Sequence, residues 1–186
     1  NELVDYSQRA SRMFGFVRSL FREKDPEQFD LIYQRIVRYE TISDKLEVEI
    51  YNYLNRTSQD EVGSEVIKQV QIMFKVISDI ETMSDCNYKL AKVIKYKFDR
   101  DIWFNQELRD KINEMFDLVD KAIMVMNTNI SRAFSEESHY IDEEVYVIEN
   151  QINKLESDLK ERYLFEIGDK ELKHGAIVIF SELISE

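Results

Sequence analysis

"YETISDKLEVEIYNYL", residues 39–54, carries two acids one helical turn apart, Glu40 and Asp44. Its apolar residues Ile42, Leu46, Ile50 and Tyr53 recur every three or four positions, the period of an amphipathic helix and not of a strand. The same face extends back through Tyr39, Ile36, Ile32 and Phe29. A thinner flank holds Tyr33, Val37 and Tyr51, and Glu40 and Asp44 lie on it. Further on, "ETMSD", residues 81–85, repeats the spacing with Glu81 and Asp85. Here the surrounding stripe is Ile67, Val70, Phe74, Ile77, Ser84 and Tyr88, so Glu81 interrupts an apolar seam. An unpaired buried carboxylate is costly. Glu81 is therefore expected to be paired, ligated or set at the mouth of a cleft.

Working outward, the same periodicity predicts six helices. The first spans about residues 2–22, with Tyr6, Ala10, Met13, Val17 and Leu20 as its seam. Asp25 is placed to cap the second helix and Pro26 to fill its first turn. The second runs to about Arg56. Ser58 to Glu61 has a capping-box pattern ahead of the third, which continues to about Lys97. A second stripe on that helix (Met73, Val76, Ile80, Met83, Asn87, Leu90 and Ile94) means that it packs between neighbours. Asn105 is expected to cap the fourth helix, which runs to about Phe134 on Leu108, Ile112, Met115, Val119, Ala122 and Met126. The fifth follows on Ile141, Val145, Ile148, Ile152, Leu155 and Leu159 and ends at Gly168. The sixth starts near Asp169. Long helices with short connectors make antiparallel neighbours, which predicts an all-α fold of two three-helix bundles, residues 1–98 and 103–186, the last helix truncated.

Composition agrees. Four Gly and one Pro leave few breaks in 186 residues, and 44% hydrophobic residues suffice for a core. The net charge of −12 argues against nucleic acid as a partner and against purely electrostatic attraction to an anionic bilayer. A single cysteine, Cys86, excludes an internal disulfide framework. No apolar run reaches the roughly 18 residues of a transmembrane helix, so direct membrane insertion of this segment is not expected. The chain opens without Met inside a helical pattern, which reads as a piece of something longer.

The second half echoes the first. "RMFGFV" (12–17) resembles "EMFDLV" (114–119), and "YETISDKLEVEI" (39–50) resembles "IENQINKLESDL" (148–159). The two offsets differ by one heptad, which preserves the phase of the seam, so a duplication is read. Under this alignment Glu149 takes the place of Glu40 and Asn153 that of Asp44. The counterpart of Glu81 falls past Glu186.

These stretches resemble the PhoU family, whose repeats are three-helix bundles bearing two E-x-x-x-D motifs each. The first repeat holds both, Glu40–Asp44 and Glu81–Asp85. "YETISDKLEVEIYNYL", "ISDIETMSD" and "IWFNQELRDKINEMFDLVD" are most similar to the cytoplasmic C-terminal region of bacterial sodium-dependent phosphate cotransporters. The resemblance implies a membrane transporter domain N-terminal to this segment and a regulatory role at the cytoplasmic face of the bacterial inner membrane. It also implies that the acidic motifs are candidate ligands for a divalent, iron or zinc cation. Asn153 in place of an acid, Cys86 where many members have His, and the missing last motif depart from the pattern. The alternative is a stand-alone PhoU-type negative regulator of phosphate uptake and signalling.

The residues alone leave two readings of the acids. Spacing i, i+4 sets each pair on one helix face, where like charges repel. A cation shared by Glu40, Asp44, Glu81 and Asp85 would offset that, and carboxylate oxygens suit hard cations or a mixed site. Pairing with Lys or Arg of a neighbouring helix, or simple solvation, would do so as well. No nucleophile–base constellation or cleft-forming loop accompanies them, so no enzyme is expected. Cys86 reads as a small half-buried residue and His139 and His174 as surface residues. Trp103 and Phe104 are expected to plug the junction between bundles. Exposed acidic faces and a shortened second bundle leave a homodimer open.

Overall fold

The computed structural model describes residues 2–57, 63–133, 142–165 and 174–185. They form six helices, α1 (Glu2–Arg22), α2 (Pro26–Thr57), α3 (Ser64–Asp99), α4 (Gln106–Ala133), α5 (Asp142–Phe165) and α6 (His174–Ser185), with no strand among the described residues. The fold is all-α, as the periodicity predicts. The chain divides into two compact units, residues 1–88 and 89–186, with the boundary inside α3.

Local chemistry sets the helix ends. Asp25 Oδ1 accepts from the Gln28 amide at 2.9 Å, and Pro26 occupies the first turn, where a missing N–H costs nothing. Asn105 Oδ1 accepts from the Leu108 amide at 2.9 Å. Both predicted caps are therefore present. The Ser58–Glu61 pattern, Gly168 and His139 lie outside the described residues. α3 ends in a Schellman turn: the Ile102 amide donates to the Lys97 carbonyl and the Asp101 amide to Phe98, both at 3.0 Å. The turn needs a left-handed residue, and Asp101 supplies it with φ 51°.

In the first unit every predicted seam residue of α1 is buried, and Val17 and Leu20 are sealed completely. α2 contributes Phe29, Ile36, Ile50 and Leu54 to that core, and α3 contributes Val70, Ile77 and Ile80. Tyr53, assigned to the seam of α2, is 69% exposed, and its neighbour Leu54 is buried instead. A strict 3.5-residue seam drifts around a straight helix over eight turns, so the apolar contact moves to the adjacent position.

In the second unit Leu108, Ile112, Met115 and Phe116 of α4 are buried, as are Leu159 of α5 and Ile179, Phe180 and Leu183 of α6. Phe104 is buried and meets Phe180 edge-on, centroids 6.2 Å apart. Trp103 is 47% exposed, which is too open for a plug. Its indole instead lies beneath the Lys97 ammonium, 4.5 Å from the ring centroid, and its Nε1 donates to Asp101 Oδ1.

Candidate functional site

The two acidic motifs share more than their acids. Each reads E-T-x-S-D, at residues 40–44 of α2 and 81–85 of α3. In a helix the Thr points away from the core, and each Thr hydroxyl folds back onto its own helix. Thr41 donates to the Val37 carbonyl at 3.1 Å and Thr82 to Ser78 at 2.9 Å. The Ser two positions later turns inward, and Ser43 and Ser84 are both buried. They border one cavity of only about 10 Å³ together with Ala10 and Met13 of α1. A serine at this place keeps the helix slim enough to close on α1.

Hydrogen bonds fix that closure. Ser43 Oγ donates to the Tyr6 hydroxyl at 3.0 Å, and the Tyr6 hydroxyl donates to the Ser43 carbonyl at 3.3 Å. From α3, Asn87 Nδ2 donates to the Ala10 carbonyl at 3.2 Å. Tyr6 and Asn87, both buried, thus tie α2 and α3 to neighbouring turns of α1. Buried polar groups that find partners in this way set helix register as well as stability.

The acids surround this tie. Burial pushes the Tyr6 phenol up to about 12; its hydrogen bond with Ser43 lowers it, and the negative charges of Glu47, Glu81 and Asp44 raise it. Tyr6 therefore sits where the two motifs' fields overlap. Asp44 is exposed, and Glu40, Glu81 and Asp85 are half-buried. Glu40 Oε2 accepts from Thr41 Oγ1 at 3.4 Å. Among the described residues no group of three or more His, Cys, Asp or Glu side chains stands close enough to hold a metal ion. Of the four motif acids, Asp44 and Glu81 act together on Tyr6, and no three of the four side chains converge on one point. Cys86, next to Asp85 in the chain, is half-buried.

The second unit places its counterparts differently. Glu149 and Asn153 are both exposed on α5. Glu149 borders an apolar cavity of about 460 Å³ between α4 and α5, lined by Val125, Met126, Ile148 and Ile152. A cleft of about 660 Å³ between the same helices mixes Asp110, Asp117 and Asp158 with Lys121 and Lys154. His174 is the first residue of α6.

Sequence reasoning passed over Ser43 and the hydroxyl of Tyr6. The signal was there, because a small polar residue three positions after each motif Glu recurs in both helices. Compared with known protein families, residues 3–94 match the model of the PhoU domain. Over that stretch, just under half of the chain, the protein is similar to the PhoU domain. The match takes in both E-T-x-S-D motifs, Tyr6 and Asn87. A PhoU domain is a regulatory helical bundle and points to the regulation of phosphate transport. Comparison with curated proteins gives no match, and comparison with solved structures gives none. No helix among the described residues is long and apolar enough to cross a membrane.

Proposed function

We propose that the chain is the cytoplasmic regulatory portion of a sodium-dependent phosphate cotransporter, acting on inorganic phosphate transport through a transporter domain N-terminal to Asn1. The observation that carries this reading is the PhoU match over residues 3–94, joined to the resemblance of the three quoted stretches to that transporter branch. The mechanism is conformational and needs no catalysis. The helical unit binds two states of the transporter unequally, and that difference in affinity shifts their populations. The buried Tyr6–Ser43 and Asn87–Ala10 bonds keep the docking surface in one register.

The test has two parts. Several apolar segments of about 20 residues encoded upstream of Asn1 support the transporter, whereas a short start without them supports a stand-alone regulator. In the full-length protein, removing residues 1–186 is expected to change phosphate uptake or its response to phosphate supply. Unchanged uptake and unchanged response would sink the mechanism.

Cation binding is a separate proposal. Glu40, Asp44, Glu81 and Asp85 offer hard oxygen ligands to a divalent, iron or zinc cation, and their side chains would have to turn toward one another from the arrangement described. The purified protein is expected to carry metal that Glu81→Ala releases, with a lower melting temperature. If neither metal content nor melting temperature moves, the four acids hold no cation, and Asp44 and Glu81 act only as electrostatic neighbours of Tyr6.

A further inference from the structure

Residues 6–22 contain four arginines and no acid, in a chain whose formal net charge is −12. Helical spacing sets Arg9, Arg12 and Phe16 on one stripe of α1 and Arg35, Arg38 and Ile42 on one stripe of α2. The stripes adjoin. The Phe16 and Tyr39 rings meet edge-on at 5.1 Å, the Arg35 guanidinium lies over Phe16 at 5.1 Å, and Arg9 and Tyr39 border the same small cavity. Arg9, Arg12, Arg35 and Arg38 are all exposed, and among the described residues none of these four makes an ion pair. Leu31, 62% exposed, stands one turn before Arg35. Acids on these stripes come only at the ends, with Glu2, Asp5 and Glu49 at one and Glu23 and Glu27 at the other. Glu23 is already engaged by the Lys24 and Asp25 amides.

We propose that this outer α1–α2 face, carried by Arg9, Arg12, Arg35 and Arg38, adsorbs flat onto anionic phospholipid headgroups without inserting. The covered ring favours a bilayer over the apolar stripe of an acidic protein helix. Arg35 and Tyr39 seal the ring of Phe16, and the adjoining cavity of about 10 Å³ is too small to admit a side chain. Phe16 therefore offers no open apolar anchor for a partner's side chain, whereas the exposed guanidinium groups meet a surface of phosphates directly. Guanidinium groups also pair with phosphate in bidentate fashion.

The overall negative charge does not forbid this. At physiological ionic strength the screening length is about 8 Å, so a surface in contact feels the four arginines before it feels acids elsewhere on the molecule. The net-charge argument against a bilayer holds for the average of the chain and fails for this face. The inference goes beyond the transporter reading, since the assay uses the chain alone and its outcome does not depend on what lies upstream.

The experiment is co-sedimentation with vesicles of 30% phosphatidylglycerol in phosphatidylcholine, against pure phosphatidylcholine, at rising salt. Binding to the anionic vesicles alone, reversed by salt, is expected. Each arginine changed to Gln should weaken it about fivefold, and R9Q/R12Q/R35Q/R38Q should abolish it with helix content unchanged by circular dichroism. The matched variant K111Q/K121Q/K154Q/K160Q should bind like wild type. Equal loss in both variants, no adsorption at all, or binding to polyglutamate in place of vesicles would each overturn the proposal. If the quadruple arginine variant fails to fold, the pair R9Q/R12Q decides, with about a 25-fold loss expected.

Discussion

Both units use ring and cation–ring contacts, but they differ in what surrounds them. In the first, small and polar side chains let helices close tightly on α1, with the Tyr6–Ser43 and Asn87–Ala10 bonds as ties. In the second, rings and a cation do that work around the end of α3. Lys97 lies over Trp103 at 4.5 Å and over Phe104 at 5.5 Å, while Arg109 Nη1 donates to the Phe104 carbonyl. Directional bonds at close range specify one register. Ring contacts give more buried apolar area per residue and tolerate small shifts. The buried hydrogen bonds of the first unit therefore define the register of α1 against α2 and α3.

The largest test of this contrast falls on the ring side. Phe104→Ala removes a buried ring that meets Phe180 and the Lys97 ammonium, and is expected to cost about 3–5 kcal/mol by denaturant unfolding. A smaller loss would mean that the second unit collapses readily around the gap. The matching test of the polar side is Ala10→Leu. Ala10 is buried where Asn87 reaches its carbonyl, and the adjoining cavity of about 10 Å³ cannot take three more carbons. Overpacking is expected to cost about 2–3 kcal/mol. A neutral result would show that α1, α2 and α3 are less closely held than the hydrogen bonds imply.

Much of this was legible in the sequence, for a physical reason. Helix existence follows from apolar period, and caps follow from side-chain geometry, so α1, α2 and the Asp25 and Asn105 caps could be read directly. The acids could be read as a pair of motifs because i, i+4 spacing is local. Whether Glu40, Asp44, Glu81 and Asp85 point at one centre depends on the rotation of α2 against α3, which sequence spacing does not encode. Ser43 escaped notice because a serine between two apolar positions looks like a solvated residue until a partner helix is placed beside it. The arginine face escaped for the opposite reason, since summing charge over the chain averages out a one-sided distribution.

A gentler probe separates the Tyr6 tie from mere burial. Tyr6→Phe keeps the ring and leaves Ser43 Oγ without its acceptor, for an expected loss of about 1–2 kcal/mol. The pH profile carries more information. Burial pushes the folded phenol up to about 12, from an ordinary value of 10.0. The folded state therefore holds its proton where the unfolded chain has lost it, and the resulting stability is complete below pH 10 and disappears between about 10 and 12. Wild type is expected to lose stability across that window, and Tyr6→Phe to lose less. Burial lowers the Lys97 pKa from 10.5, with Arg109 adding to the effect, so its contribution has the opposite sign and rises as pH climbs toward 10.5. Identical slopes in wild type and Tyr6→Phe would mean that the phenol is not buried in solution.

The smallest expected effect lies at the Schellman turn that ends α3. Asp101 holds φ at 51°, a region where a Cβ is crowded and glycine is at ease. Replacing it with Gly removes that strain, but also removes the carboxylate that accepts from Trp103 Nε1. Relief of backbone strain is on the order of 1 kcal/mol, and an exposed hydrogen bond contributes about half of that or less. Asp101→Gly is thus expected to stabilise the protein by about 0.5 kcal/mol, while Asp101→Ala, which keeps the strain and loses the bond, destabilises it. The indole reports the same event independently, because Trp103 is the only tryptophan in the chain. Its emission should change in both variants as the ring is released from Asp101. Stability and fluorescence that move together would mean that the ring cluster, and not the left-handed turn, holds the end of α3. Opposite stability changes with the same fluorescence change would assign that role to the turn.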